Sequence, residues 1–153
     1  MRVSESALAL FTRSTPDGTT AYLTQWNERW RAYSLIGGHR RKGETFRDCC
    51  VREVTEELRL MPEIDFQISD RPVTTRLEYK AFSKSAGAET RYAFELFSGW
   101  LRDDAVATRV LEAPENCWVS EAEVRAGRTL SGKAIDAQVA RSLDWIAGRE
   151  SAE

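Results

Sequence analysis

The chain has one histidine and three cysteines among its 153 residues. With a single imidazole and no Cys-x-x-Cys pair, no spacing suggests a zinc site. The cysteines are Cys49, Cys50 and Cys117. An odd number, two of them adjacent, makes a poor disulfide framework and fits reduced thiols in the cytoplasm. Long apolar runs are absent, so no membrane partner is expected. Met1 to Leu10 carries Glu5 and lacks the pattern of a secretory signal. There is no excess of positive charge either: 22 Lys and Arg against 24 Asp and Glu give a net charge of −2. That balance argues against a protein that coats nucleic acid. It leaves a small phosphorylated substrate open.

What is present suffices for a packed core. Apolar residues make up 42% and charged ones 30%, a globular balance, and the length fits a single domain over 1–153. Ala7 to Thr12 reads as a strand, Thr15-Pro16-Asp17-Gly18 as a turn, Thr20 to Trp26 and Trp30 to Ile36 as further strands, with Gly37-Gly38 breaking the pattern. Glu44 to Leu58 reads as a helix on the stripe Phe46, Cys50, Val54 and Leu58, and Pro62 helps to end it. Val73 to Phe82 alternates as a strand, with Val73, Thr75, Leu77, Tyr79 and Ala81 on one face. Thr90 to Leu101 is its aromatic partner strand. A last strand lies near Asn116 to Val119. Ser120 and Glu123 look like a capping box opening a short helix. The final helix is expected over about Lys133 to Ala147, with Gly148 as its stop and a frayed end beyond. This order describes a mixed sheet with helices packed on it.

The informative stretch is Gly38 to Leu60. On a helix, Glu56 lies about 60° to one side of Glu53 and Glu57 about 40° to the other. Three carboxylates therefore share one arc beside the apolar stripe. Like charges at these spacings cost about 0.2–0.5 kcal/mol per pair. Glu56 and Glu57 also sit in the last turn, where the helix dipole disfavours negative charge. Such a helix is either neutralised by cations, with Arg47, Arg52 and Arg59 at hand, or organised for a hard divalent ion with oxygen ligands, Mg²⁺ first.

The spacing speaks for the ion. Gly38, Glu44, Arg52, Glu53, Glu56 and Glu57, with Val54 and Leu60 in the aliphatic places, stand in the register Gly-x5-Glu-x7-Arg-Glu-aliphatic-x-Glu-Glu-x-Gly-aliphatic. This resembles the box of the Nudix hydrolase family. Arg59 stands where the box has glycine, just past the helix, where left-handed backbone is often needed. The late Trp118-Val119 strand and the helix after it also resemble the family's. The resemblance implies an α/β/α sandwich, a mixed β-sheet flanked by helices. It implies a metal-dependent pyrophosphohydrolase, with Mg²⁺ or Mn²⁺ as cofactor, acting on a nucleoside diphosphate linked to another moiety.

By the same resemblance Glu53, Glu56 and Glu57 are metal ligands, joined by the carbonyl of Gly38 or Gly37. Any of the three, or a later carboxylate such as Glu112 or Glu115, could be the general base. Glu44 and Arg52 would pair to hold loop against helix. His39 and Arg40 in the basic loop would contact phosphates; otherwise the loop's charges simply balance Glu44 and the acidic helix. Trp26, Trp30, Tyr33, Tyr79 and Tyr92 offer a base-stacking platform or sheet core. Tyr79 stands near the place where relatives acting on dinucleoside polyphosphates carry a tyrosine, while Pro72 does not match the ADP-ribose position. The substrate class stays open. The alternative function, prompted by Arg59 and Arg40-Arg41-Lys42, is a nucleotide-binding or regulatory domain of the same fold without turnover. A homodimer through Thr90 to Leu101 is compatible with the pattern.

Overall fold

The computed structural model describes residues 1–148; the frayed end expected past Gly148 lies outside them. Seven strands form one mixed sheet: β1 (Arg2–Ser14), β2 (Thr20–Asn27), β3 (Ala32–His39), β4 (Phe66–Ile68), β5 (Leu77–Ser83), β6 (Ala88–Leu101) and β7 (Asn116–Ser120). The spatial order is β4-β6-β1-β3-β2-β7, with β5 beside β4 on the outer edge of β6. Among the described residues β1 and β6 are the one pair of strands that run parallel. The helices are α1 (Phe46–Leu58), α2 (Asp104–Leu111), α3 (Glu121–Ala126) and α4 (Ala137–Ile146).

Alternation along the strands divides the core in two. Ala7, Ala9, Phe11, Leu23, Ile36 and Phe97 face one side with Cys49, Cys50, Val54 and Leu58 of α1 and Val106 and Val110 of α2. Their neighbours Leu8, Tyr22, Leu35, Phe94 and Leu96 face the other, with Val124 of α3 and Val139 and Leu143 of α4. The result is the expected α/β/α sandwich. Each fully buried aliphatic side chain stabilises it by about 1.5–3 kcal/mol. Among the described residues no helix is long and apolar enough to cross a membrane.

Several boundaries differ from the sequence reading. The double glycine does not break β3. The strand runs on to His39 because β1 continues the ladder, pairing Ser6 with His39, Ala7 with Gly38 and Leu8 with Gly37. Trp30 lies before β3, in a turn where Arg31 has φ 51°. Helix α1 starts at Phe46 because the Thr45 side chain caps it, accepting from Asp48 N–H at 3.0 Å. Strand β5 starts at Leu77, not Val73. Both β4 and β5 pair with the same edge of β6, so residues 69–76 must span the gap between them, tied by Val73 N–H to Leu96 O and Ser69 N–H to Ser98 O. Ile135 forms a bridge with Tyr33, and α4 begins only after Asp136, whose side chain accepts from Gln138 N–H. Strand β4 and helix α2 were not anticipated. The Ser120–Glu123 capping box is present, and Gly148 follows α4 with φ 73°.

Candidate active site

Small side chains let α1 approach the sheet. Ala7 and Ala9 on β1 face Cys49 and Cys50 on α1, all fully buried. One turn further on, Glu53 reaches the end of β3. A Cβ on Gly38 would lie 2.5–2.8 Å from the Glu53 carboxylate, so only glycine leaves room for it. A Cβ on Gly37 would run into the Ala7 carbonyl. Beyond Leu35, β3 leaves β2 and is paired only by β1. Its freed edge presents the Gly37 N–H, which donates to Glu57 Oε1 at 3.0 Å. The Gly38 carbonyl, expected to face a metal, accepts from Cys49 Sγ at 3.4 Å.

Arg52 organises the charges. Its Nε and Nη2 donate to the two Glu44 oxygens at 2.7 and 2.9 Å. Its Nη1 donates to Glu53 Oε1 at 2.9 Å, and its Nη2 also reaches the His39 carbonyl at 3.1 Å. The forked bond from Arg52, with the Arg41 N–H, holds the Glu44 carboxyl down at about 2. Burial pushes the Glu57 carboxyl up to about 8; the Gly37 N–H opposes that, and the Glu53 and Glu56 charges add to it. Glu56 is exposed and lies 3.7 Å from Arg52 and 3.9 Å from Arg41. Among the described residues no three His, Cys, Asp or Glu side chains are gathered at metal-binding distances; Arg52 engages Glu53, and Glu56 lies near Arg41 and Arg52. The donor set still fits a hard cation. It is all oxygen, Glu53 has a cradle kept clear by Gly38, and burial, to which the neighbouring carboxylates add, leaves Glu57 favouring its proton.

The three carboxylates line a cavity of about 560 Å³ with Arg52, Gly38, His39 and Arg40. Sequence spacing thus brought together Gly38, Arg52, Glu53, Glu56 and Glu57, with Glu44 behind Arg52. His39 Nδ1 lies 3.4 and 3.3 Å from the Ser4 and Ser6 hydroxyls. Arg40 pairs with Glu5 of β1 at 2.5 Å and donates to the Glu44 carbonyl, so its charge is engaged by the strand beside the loop. Glu112 and Glu115 do not line the cavity. Tyr79 lines a neighbouring cavity of about 450 Å³. It stacks on Tyr92 with centroids 5.2 Å apart, beneath Arg141. Tyr33 is buried core, and Trp26 packs against it edge to face. Burial pushes the Cys49 thiol up to about 11 and Cys50 higher, which suits packing and not nucleophilic chemistry. Sequence spacing missed Gln25, which donates to the Glu57 carbonyl and to Asn116 Oδ1, and Gln138, which lines both cavities. Both act across the fold, where no local pattern marks them.

The NUDIX domain family model matches residues 4–143. The chain belongs to the Nudix family. Solved structures give the same fold. A Nudix hydrolase from M. smegmatis, RenU, is 19% identical, with TM-score 0.56 over 94% of this chain and 86% of that one. A NUDIX hydrolase from Nitrosomonas europaea is 20% identical, with TM-score 0.56 over 97% and 92%. Shewanella oneidensis NrtR, solved with a 27mer DNA, is 13% identical, with TM-score 0.56 over 96% of this chain but 59% of that one. No curated protein matches the chain. Helix α1 ends without a glycine. Arg59 itself takes the left-handed conformation, φ 56° and ψ 47°.

Proposed function

We propose that this Nudix domain is a metal-dependent pyrophosphohydrolase, cleaving a nucleoside diphosphate linked to another moiety by attack of water at phosphorus. The observation that carries the reading is the set Glu53, Glu56 and Glu57 on one cavity wall, with Glu53 seated against Gly38. A divalent ion, Mg²⁺ or Mn²⁺, supplies charge neutralisation at the phosphate oxygens and acidifies water; Glu53, Glu56 and Glu57 would hold it. The other residues position and balance charge. Glu44 grips one edge of the Arg52 guanidinium through two bonds, and Arg52 in turn orients Glu53. The Gly37 N–H orients Glu57. A carboxylate of α1 takes the proton from water, since Glu112 and Glu115 lie off the cavity. His39, between two serine hydroxyls on the same wall, faces the phosphates. Most of phosphoryl transfer is such positioning and electrostatics. The three unpaired cysteines fit a cytoplasmic protein.

The reading without turnover, as a nucleotide-binding or regulatory domain, drew on Arg59. That motive weakens, because Arg59 adopts the left-handed turn a glycine would make. A phosphate-release screen with Mg²⁺ or Mn²⁺ over nucleoside triphosphates, nucleotide sugars, ADP-ribose and dinucleoside polyphosphates tests the choice. Turnover that is lost in Glu53→Gln supports the hydrolase. Saturable binding with no product from any substrate supports the regulatory domain.

A further inference from the structure

The sheet face beneath α1 is apolar until it reaches the last turn of the helix. Leu23 of β2, Ile36 of β3 and Trp118 of β7 belong to the core on that side. Two residues away on each strand, and so on the same face, stand Gln25, Ser34 and Asn116. Gln25 pairs with Ser34 of β3 and with Asn116 of β7, which makes one polar row across three strands. Ser34 and Asn116 are buried. Burying polar groups is costly unless they are bonded, and the bonds of Asn116 and Gln25 lead to one place, the Glu57 carbonyl.

The direction of these bonds is fixed by chemistry. The Val110 carbonyl of α2 can only accept, so Asn116 turns its Nδ2 to it, at 2.9 Å. The Asn116 Oδ1 then faces Gln25 and accepts from its Nε2 at 2.9 Å. The same Nε2 donates to the Glu57 carbonyl at 3.0 Å. The relay thus starts on α2 and ends on α1. The last four carbonyls of a helix have no partner within it, and α1 has no basic side chain in its last turn to serve them. Gln25 supplies a donor there, to the residue whose carboxylate lines the cavity. Glu57 is therefore gripped twice, through its backbone by β2 and through its side chain by the Gly37 N–H of β3.

We infer that Gln25 is a positioning residue. Oriented by Asn116, it fixes the end of α1 against the sheet so that the Glu57 carboxylate meets the Gly37 N–H. It acts through Glu57 and not on the substrate. Its effect on turnover rests on the hydrolase reading above, whereas the anchoring of Glu57 does not. A misplacement of about 1 Å at reacting groups costs on the order of 10²-fold in rate, so loss of one of the two grips should be felt at the carboxylate.

The test uses Gln25→Met and Gln25→Glu, side chains of nearly the same size that carry no N–H, so that one folded variant suffices. Three quantities are read on the full chain: exchange of the Gly37 amide by NMR without metal, affinity for Mn²⁺ alone, and kcat and KM with Mg²⁺. The expected result is Gly37 exchange faster by about ten-fold or more, as the bond to Glu57 loosens. Mn²⁺ affinity and kcat should each fall about 10–100-fold, with KM within about three-fold of wild type. A folded variant that melts lower but keeps wild-type Gly37 exchange, Mn²⁺ affinity and kcat overturns the inference, because a merely structural role predicts that pattern. Faster Gly37 exchange with wild-type Mn²⁺ affinity and kcat overturns it too, and leaves the hydrolase standing. If the wild-type chain turns over no substrate, the hydrolase reading falls. Faster Gly37 exchange in the variants then still upholds the anchoring of Glu57, and unchanged exchange overturns it.

Discussion

Replacing Gly38 by alanine tests how closely the site is built. The added Cβ would sit 2.5 Å from the Glu53 carboxyl carbon and 2.6 and 2.8 Å from its oxygens. Ordinary contacts lie at about 3.5–4.0 Å, so the carboxylate must retreat by about 1 Å. The 2.9 Å bond from Arg52 to Glu53 would then stretch or break. Gly38 does not have a positive φ, so alanine fits the backbone and the fold survives. The clash meets the far end of a flexible side chain, which moves at low cost, so the melting point should fall by at most about 2–4 °C, as for about 1 kcal/mol in a chain of this size. A misplacement of about 1 Å at reacting groups costs on the order of 10²-fold in rate. Steady-state turnover with Mg²⁺, read beside a thermal melt, separates the two effects. A folded Gly38→Ala protein with kcat within two-fold of wild type would refute the cradle argument.

Other consequences follow from single residues. Arg59 is exposed and left-handed, a conformation that costs a side-chain-bearing residue about 1–2 kcal/mol; Arg59→Gly should raise the melting temperature by about 2–8 °C, and a lower melting point would contradict it. Arg52→Lys cannot reproduce the fork to Glu44, so kcat should fall about 10–100-fold with little change in the circular dichroism spectrum; an unchanged kcat counts against the positioning role. Glu44 ionises at about 2 in the folded protein against an ordinary 4.5. Its pairing therefore stabilises the fold above about 4.5, and that stability is lost as pH falls through about 2. Denaturant titrations between pH 5 and pH 2 should show this slope shrinking in Glu44→Gln; an identical slope in the variant would exclude Arg52–Glu44 as its source.

The elements that carry the site were legible because their signals are local. The Glu53, Glu56 and Glu57 spacing is fixed by helix geometry, and the Ser120–Glu123 box by three-residue reach. What was not legible depends on partners far away in the chain. Gly37-Gly38 read as a break, yet β1 pairs with both and keeps the strand going. Val73 has a strand's side-chain pattern but lies where the chain must step from β4 to β5. Strand β4 has only three residues and α2 only eight, too short for periodicity to register. Arg40 had the composition of a phosphate contact, but Glu5 on β1 engages it, through a pairing no motif records. Gln138 was overlooked for the same reason, since α4 brings it to the cavity from far along the chain.

The central claim is that the carboxylates of α1 make this Nudix domain a hydrolase. Its most direct test is Mg²⁺-dependent release of the nucleoside monophosphate from the best substrate, comparing wild type with Glu57→Gln at matched folding. We predict turnover that is abolished by chelation and reduced by at least about two orders of magnitude in Glu57→Gln, the loss of several kcal/mol of transition-state stabilisation. A well-folded Glu57→Gln protein that turns over at the wild-type rate would contradict the claim.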